Sequence, residues 1–273
     1  MRVSVIAVAA LALGLTACGS GTDSGKGGGT DDTLVVGATA VPAGEVLTYV
    51  RDHLAAKAGL KLEVKEFTDY VLPNTALQEG ELDANLYQNQ PYLDDFNKSK
   101  GTDLVPVVKP YLPPMGVYSH KVKKVTELAD GATVAVPNDI TNEGRALKLL
   151  AAGGVIELKA GAGTDASPAD VTSNPRHLKI RELEAAQLPR SLDDVDAAVI
   201  NNNYAQDAGL SPTGDAILLE SAKDNAYANL LAVRRGDEDD PRVKKLARLL
   251  VSPEVRTFIQ DRYHGSVLPA AGG

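Results

Sequence analysis

The sequence predicts an α/β fold. Three observations carry that prediction. Apolar runs of strand length recur along the chain and alternate with segments of helical spacing. Two late segments open on a cap residue followed by proline, Asp240-Pro241 and Ser252-Pro253, and each continues as a helical stripe. Beyond the first fifteen residues there is no second long apolar segment, and there is no internal repeat.

In chain order, residues 33–40 are continuously apolar or small and predict a buried strand. Pro42 sits where a helix can begin, with Val46, Leu47, Val50 and Leu54 at helical spacing. Residues 61–67 alternate and predict a second strand; 84–88 and 104–108 predict two more. Residues 115–119 and 133–137 follow as strands, with a short helix-like piece at 125–129 between them. Residues 143–152 predict a helix that stops at Gly153-Gly154. Residues 178–184, 197–201 and 229–235 complete the strands. After Asp240-Pro241 the stripe is Val243, Leu246, Leu249 and Leu250; after Ser252-Pro253 it is Val255, Phe258 and Ile259. Both stripes read as core faces.

The amino terminus reads differently. Arg2 precedes an apolar run to Leu15, which is too short to span a bilayer needing roughly 20 residues and has the size of a signal-peptide core. It ends in Leu15-Thr16-Ala17-Cys18, which resembles a bacterial lipobox, and Cys18 is the single cysteine. The expectation is a lipoprotein signal peptide over 1–17 and a lipidated (palmitate-type) Cys18, tethering the protein to the extracytoplasmic face of the cell membrane. Residues 19–32 carry no apolar side chain and form a flexible tether with a typical reach of roughly 20 Å. An ordinary secretory signal with an incidental cysteine is the other reading.

Composition removes several function classes. A net charge of −8 argues against nucleic acid as a partner. His53, His120, His177 and His264 are far apart and show no H-E-x-x-H spacing, so no metal site is expected. Asp237 to Asp240 lacks the alternating ligands and glycine of a calcium loop and reads as a solvated turn that caps a helix. G-x-S-x-G, Walker and G-x-G-x-x-G motifs are missing, so neither a catalytic nucleophile nor a cofactor is predicted, and the chain does not read as an enzyme.

Three segments remain that suit a small zwitterion. The stretch from Pro137 to Arg145 runs from a strand end into a helix start, where free N–H groups favour an anion and Arg145 can add a bidentate carboxylate contact. The bland alternative has Asp139 or Thr141 capping the helix and Arg145 in solvent. Asn201-Asn202-Asn203-Tyr204 puts amides at the end of a strand, and an amide oxygen accepts from an ammonium without carrying charge; a turn rich in asparagine is the alternative. Phe67 and Tyr70, with Tyr87 and Tyr92, follow strand candidates and can wall an apolar or thioether side chain; ordinary core aromatics are the alternative.

Taken together these segments resemble the methionine-binding lipoproteins of bacterial ABC importers, the NlpA/MetQ family. The matching stretches, in family order, are Val36 to Thr39, Phe67 to Asn74, Asp83 to Asn85, Gln88 with Pro91 to Leu93, Val134 to Asp139, Asn142 with Gly144-Arg145, Leu183 to Asp194, and Ala198 to Asn201 with Tyr204-Ala205. They span nearly the whole chain after the tether.

The resemblance implies a two-lobed periplasmic-binding-protein fold with a ligand cleft between the lobes: 33–117 plus 220–273 as one lobe, 118–219 as the other. It implies Arg145 holding a ligand carboxylate with help from Asn142, and Asn201 near the α-amino group. Tyr70 and Tyr87 wall the side chain, with Phe67, Tyr92 and Asn229 in support. It implies an ABC permease and ATPase as partners and L-methionine or a related amino acid as ligand. Two departures stand out. Asn89 and Ala43 occupy places where the family carries histidine. Asparagine still donates a hydrogen bond but is shorter and never cationic. Two rival readings stay open: an enzyme built on the same fold, and a surface lipoprotein with no small ligand.

Overall fold

The structure, a computed structural model, describes residues 32–223 and 225–270. The expected signal peptide and Cys18 lie outside the described residues. Among the described residues no helix is long and apolar enough to cross a membrane.

The chain opens with β1 (Thr33–Thr39), a helical stretch holding α1 (Glu45–Val50), β2 (Lys61–Phe67), α2 (Leu72–Glu79), β3 (Ala84–Asn89), α3 (Gln90–Lys100) and β4 (Val105–Leu112). It then crosses to β5 (Gly116–Tyr118), β6 (Thr133–Pro137), α4 (Ile140–Ala152), the short pair β7 (Glu157–Leu158) and β8 (Val171–Ser173), β9 (Lys179–Leu183), β10 (Ala197–Ile200), α5 (Asn202–Asp207), α6 (Pro212–Asp215) and β11 (Leu218–Leu219). It returns through β12 (Asn229–Val233), α7 (Pro241–Leu250), α8 (Pro253–Tyr263) and β13 (Leu268–Pro269).

Two sheets result. The first has six strands in the order β13-β4-β12-β3-β1-β2, the second five in the order β11-β5-β10-β6-β9. In the first, β1 pairs in parallel with both β2 and β3, whereas β12 runs antiparallel to β3 and β4. In the second, β6 is parallel to β9 and β10, and β5 closes antiparallel to β10. Because β5 pairs with Ala198–Ile200 through Gly116–Tyr118, the expected lobe boundary at 117/118 cuts through a strand of the second sheet.

Each sheet is covered on both faces. Leu34, Val36 and Ala38 of β1 pack with Val46, Leu47, Val243, Leu246, Val255 and Ile259 of α1, α7 and α8. The opposite face, with Leu230 and Ala232, meets Leu77, Leu93 and Phe96 of α2 and α3. In the second sheet Val134 and Val136 face Ala146, Leu147 and Leu150 of α4, while Ala135, Ala198 and Ile200 face Leu188, Leu192 and Tyr204. Each large apolar side chain so buried contributes about 1.5–3 kcal/mol, and this fixes both sheets as rigid bodies beside the site.

Cap residues set the helix starts. Asp240 accepts from the Arg242 N–H at 2.7 Å and Ser252 from the Val255 N–H at 3.3 Å, as the two proline signals predict. Asp139 accepts from the Asn142 N–H at 3.0 Å, so α4 begins three residues before the expected 143. Two helices that spacing did not predict, α2 and α3, flank β3, and both carry proline in their first turn. Asn89 caps α3 by accepting from the Tyr92 N–H at 3.1 Å.

Candidate ligand-binding site

Between the two sheets lies a cavity of about 380 Å³. It is a narrow slot on the scale of a small-molecule site. From the first sheet and its helices come Pro42, Tyr70, Tyr87, Gln88, Asn89, Tyr92 and Asn229; from the second come Asn142, Arg145, Asn201, Asn202 and Asn203; Pro113 sits on the crossing between them.

The first wall is built of tyrosine. Tyr70, Tyr87 and Tyr92 form a cluster with ring centroids 5.8–6.1 Å apart, and Tyr204 reaches Tyr70 from the second sheet at 5.0 Å. Such tilted and edge-on arrangements suit the ring quadrupoles. The hydroxyls of Tyr87 and Tyr92 both donate to the Tyr70 carbonyl, at 2.7 and 2.9 Å. The Tyr70 hydroxyl donates to Asn203 Oδ1 at 2.5 Å, and the Tyr204 hydroxyl to the Thr68 carbonyl at 3.1 Å, so this wall is tied to the second sheet. Burial raises the phenols of Tyr70 and Tyr87 well above their ordinary range, helped by neighbouring Tyr204 and Tyr92 respectively. They stay neutral donors.

Behind this wall, β3 is buried along its whole length although half its residues are polar. Its amides are satisfied internally. Asn74 and Gln88 exchange hydrogen bonds at 2.8 and 2.7 Å, Asn85 donates to Asn74 at 2.8 Å, and Gln88 donates to Asn85 at 2.9 Å. A fully paired buried network of this kind rigidifies what it supports. Asn229 donates to the Tyr87 carbonyl at 2.7 Å, fixing the strand beneath the ring.

The second wall is polar. Asn201 Nδ2 donates to Asn142 Oδ1 at 2.8 Å, and Asn142 Nδ2 in turn donates to both oxygens of Asp139 at 3.0 Å. These bonds use one N–H of Asn201 and leave its acceptor: Oδ1 of Asn201 is buried and meets no donor among the described residues. Arg145 is 3% exposed, so Asp139 does cap the helix but Arg145 does not face solvent. Its Nε donates to Glu220 Oε1 at 2.9 Å, and its Nη2 to Glu220 Oε2 at 2.5 Å and to the Pro113 carbonyl at 3.1 Å. The Tyr227 ring covers the guanidinium at 4.3 Å. Burial pushes the Glu220 carboxyl up, but the charge and hydrogen bonds of Arg145, with the Met115 N–H, outweigh it and hold it below the usual glutamate value.

The fold therefore brings together Tyr70, Tyr87, Asn89, Tyr92, Asn142, Arg145, Asn201 and Asn229 around one cavity. Phe67 is not there. It ends β2 and packs against the cluster that holds Leu77 and Leu82 under α2, where Gly37 leaves room for its ring. Ala43 is fully buried in the core beside α1 and is not part of the lining, although its neighbour Pro42 is. Sequence reasoning missed Gln88, Asn202 and Asn203 as lining, though all three sat in quoted stretches. It also missed Glu220 and Tyr227, which lie on the return crossing and reach Arg145 only through the fold.

A slot with an aromatic wall, a buried cation and an unpaired amide acceptor suits a small molecule that is apolar at one end and zwitterionic at the other. Two lobes joined by two crossings, with a slot between them, define the class of two-lobed substrate-binding proteins. The chain belongs to the NlpA lipoprotein family, whose description matches residues 34–271. It is 42% identical over 264 residues, 96% of each chain, to the D-methionine-binding lipoprotein MetQ of Salmonella typhimurium. A nutrient-binding protein of Burkholderia cenocepacia, solved bound to methionine, is 52% identical with a TM-score of 0.84, covering 87% of this chain and 100% of that one. A periplasmic substrate-binding protein of an ABC transporter from Coxiella burnetii is 43% identical with a TM-score of 0.83, over 87% of this chain and 100% of that one.

Proposed function

We propose that this protein captures methionine, or a close analogue, between its two lobes and delivers it to the permease and ATPase subunits of an ABC importer. The observation that carries the reading is the pairing of the tyrosine wall with the orphan Asn201 acceptor and buried Arg145 across one slot. Arg145 takes the carboxylate, with Asn142 in support. Asn201 Oδ1 accepts from the ammonium. Tyr70 and Tyr87 enclose the thioether, where sulfur–aromatic contacts are worth about 0.3–1.5 kcal/mol. Tyr92 and Asn229 brace those rings, and Asn89 acts at second hand by capping the helix that carries Tyr92. The relatives support the ligand class: one was solved with methionine, and another is named for D-methionine.

The lobes divide at the crossings 113–115 and 220–228, and ligand bridges them. It favours the closed arrangement by the difference between its affinities for closed and open states. Lipid on Cys18 holds the protein at the outer side of the cell membrane. The protein is a carrier and not an enzyme; turnover of a bound amino acid would reverse that assignment.

Calorimetry on protein unfolded and refolded to strip bound cargo tests the ligand, using both enantiomers of methionine, a methionine dipeptide, leucine, glutamate and lysine. Methionine is expected to bind and the two charged amino acids are not. Absence of binding or thermal shift across the whole panel sinks the proposal. Replacing Cys18 with serine is expected to release the protein from the membrane fraction; retention there removes the anchor assignment.

A further inference from the structure

The geometry points to Glu220 as the residue that orients Arg145 and sets the net charge the slot accepts, so that it takes a ligand of zero net charge. This rests on reading the slot as an amino-acid site. Glu220 itself is not part of the lining. It stands behind Arg145, on the crossing that returns from β11 to β12, with its side chain 13% exposed. Its carboxylate accepts from Nε and Nη2 of Arg145 and also from the Met115 N–H at 3.2 Å, so its own position is fixed by backbone.

Two consequences follow. The first concerns direction. A guanidinium is a flat fork, and here one edge is taken by Glu220, Nη2 by the Pro113 carbonyl as well, and one face by Tyr227. No described hydrogen bond engages Nη1, and this is the edge left for a ligand carboxylate. Glu220 thereby fixes where that carboxylate must lie relative to Asn201 Oδ1.

The second concerns charge. An unaccompanied buried arginine would favour any anion. Paired with Glu220, Arg145 adds no net charge to a site where charge is poorly screened. A zwitterion fits: its carboxylate meets Arg145 and its ammonium meets the Asn201 oxygen. An anion without the ammonium would bring uncompensated negative charge close to Glu220 and to Asp139 behind Asn142.

The test compares L-methionine with N-acetyl-L-methionine, which keeps the side chain and carboxylate but is anionic. Calorimetry is done on the intact folded protein and on Glu220→Gln and Glu220→Asp. In Glu220→Gln, methionine affinity is expected to fall by about tenfold or more, as the loss of one charge-assisted contact implies. The N-acetyl compound is expected to bind more tightly than it does to the unchanged protein, so the preference for methionine shrinks. Glu220→Asp keeps the charge but shortens the reach, and is expected to weaken both ligands while retaining the preference. Equal losses for both ligands in Glu220→Gln, or no change in either, overturns the inference. Should Glu220→Gln fail to fold by circular dichroism, Glu220→Asp decides: a retained preference supports the inference, a collapsed one overturns it. If the unchanged protein binds no methionine, the amino-acid reading falls first and this inference with it, and that result is distinct from any behaviour of the variants.

Discussion

The two walls of the slot solve opposite problems. On the tyrosine wall each of the three hydroxyls of Tyr70, Tyr87 and Tyr92 has a partner: two converge on the Tyr70 carbonyl and the third reaches Asn203. What such a wall presents is ring surface, and it sorts by shape. On the asparagine–arginine wall the pairing stops short, because Asn201 gives one N–H to Asn142 and keeps a buried oxygen with no donor. A buried orphan acceptor costs about 1–3 kcal/mol, and an incoming N–H recovers it. Selectivity for charge is therefore stored on one side of the slot. It sits in what the second wall leaves undone, and the first wall supplies fit without polar demand.

The largest break in this contrast comes from Arg145→Ala. It removes the cation and strands Glu220 as a buried carboxylate. Breaking such a pair is expected to cost about 3–5 kcal/mol of folding stability, and the lost carboxylate contact about 100-fold in methionine affinity. Urea denaturation and calorimetry read the two separately. Adding Glu220→Gln to Arg145→Ala is expected to restore much of the stability and none of the affinity. Full methionine binding by Arg145→Ala would show that the second wall does not carry the charge recognition. Next in size is Asn201→Ala, expected to lower methionine affinity by about tenfold to 100-fold. The 2-hydroxy analogue of methionine, which has no ammonium, is expected to lose far less. Equal losses for the two ligands would mean that Asn201 acts only by holding Asn142.

How much of this was legible in the sequence depends on how local the cause is. The strand at 33–40 could be read because a parallel strand buried on both faces is apolar throughout, and the helices after Asp240 and Ser252 because caps and prolines act within one turn. Helices α2 and α3 escaped the spacing test, since α3 fully buries only Leu93 and Phe96, too few to show a stripe, while Tyr92 turns to the slot. Most of the lining was readable because it clusters at strand ends and helix starts. Phe67 misled because it shares a short stretch with Tyr70, yet as the last residue of β2 its ring turns into the layer under α2. Glu220 could not be read at all: 75 residues separate it from Arg145, and nothing near it in sequence asks for a cation.

A smaller effect probes the tie between the walls. Tyr70→Phe keeps the ring and deletes the hydroxyl that reaches Asn203 across the slot. The expected cost is about 0.5–1.5 kcal/mol, or at most about tenfold in methionine affinity, with ligand preference unchanged. A change in preference between methionine and its 2-hydroxy analogue would mean that the aromatic wall also reads charge, and that the two walls do not divide fit from charge.

A last test concerns pH, and it too separates the walls. The phenols of the first wall are raised by burial and stay uncharged near neutrality. Glu143, one residue past Asn142 in the first turn of α4, is raised from 4.5 to about 7 by burial first, then by the charge and hydrogen bond of Glu182 on β9 and by the charge of Asp139. Its Oε1 has no partner among the described residues. In the folded chain this carboxyl holds a proton that the unfolded chain releases at 4.5. Stability from this group is therefore full below pH 4.5, declines as pH rises, and is gone above about pH 7. Urea melts across that window are expected to show the decline in the unchanged protein and a flatter profile in Glu143→Gln. Identical profiles would mean that the helix carrying Asn142 and Arg145 is indifferent to that proton.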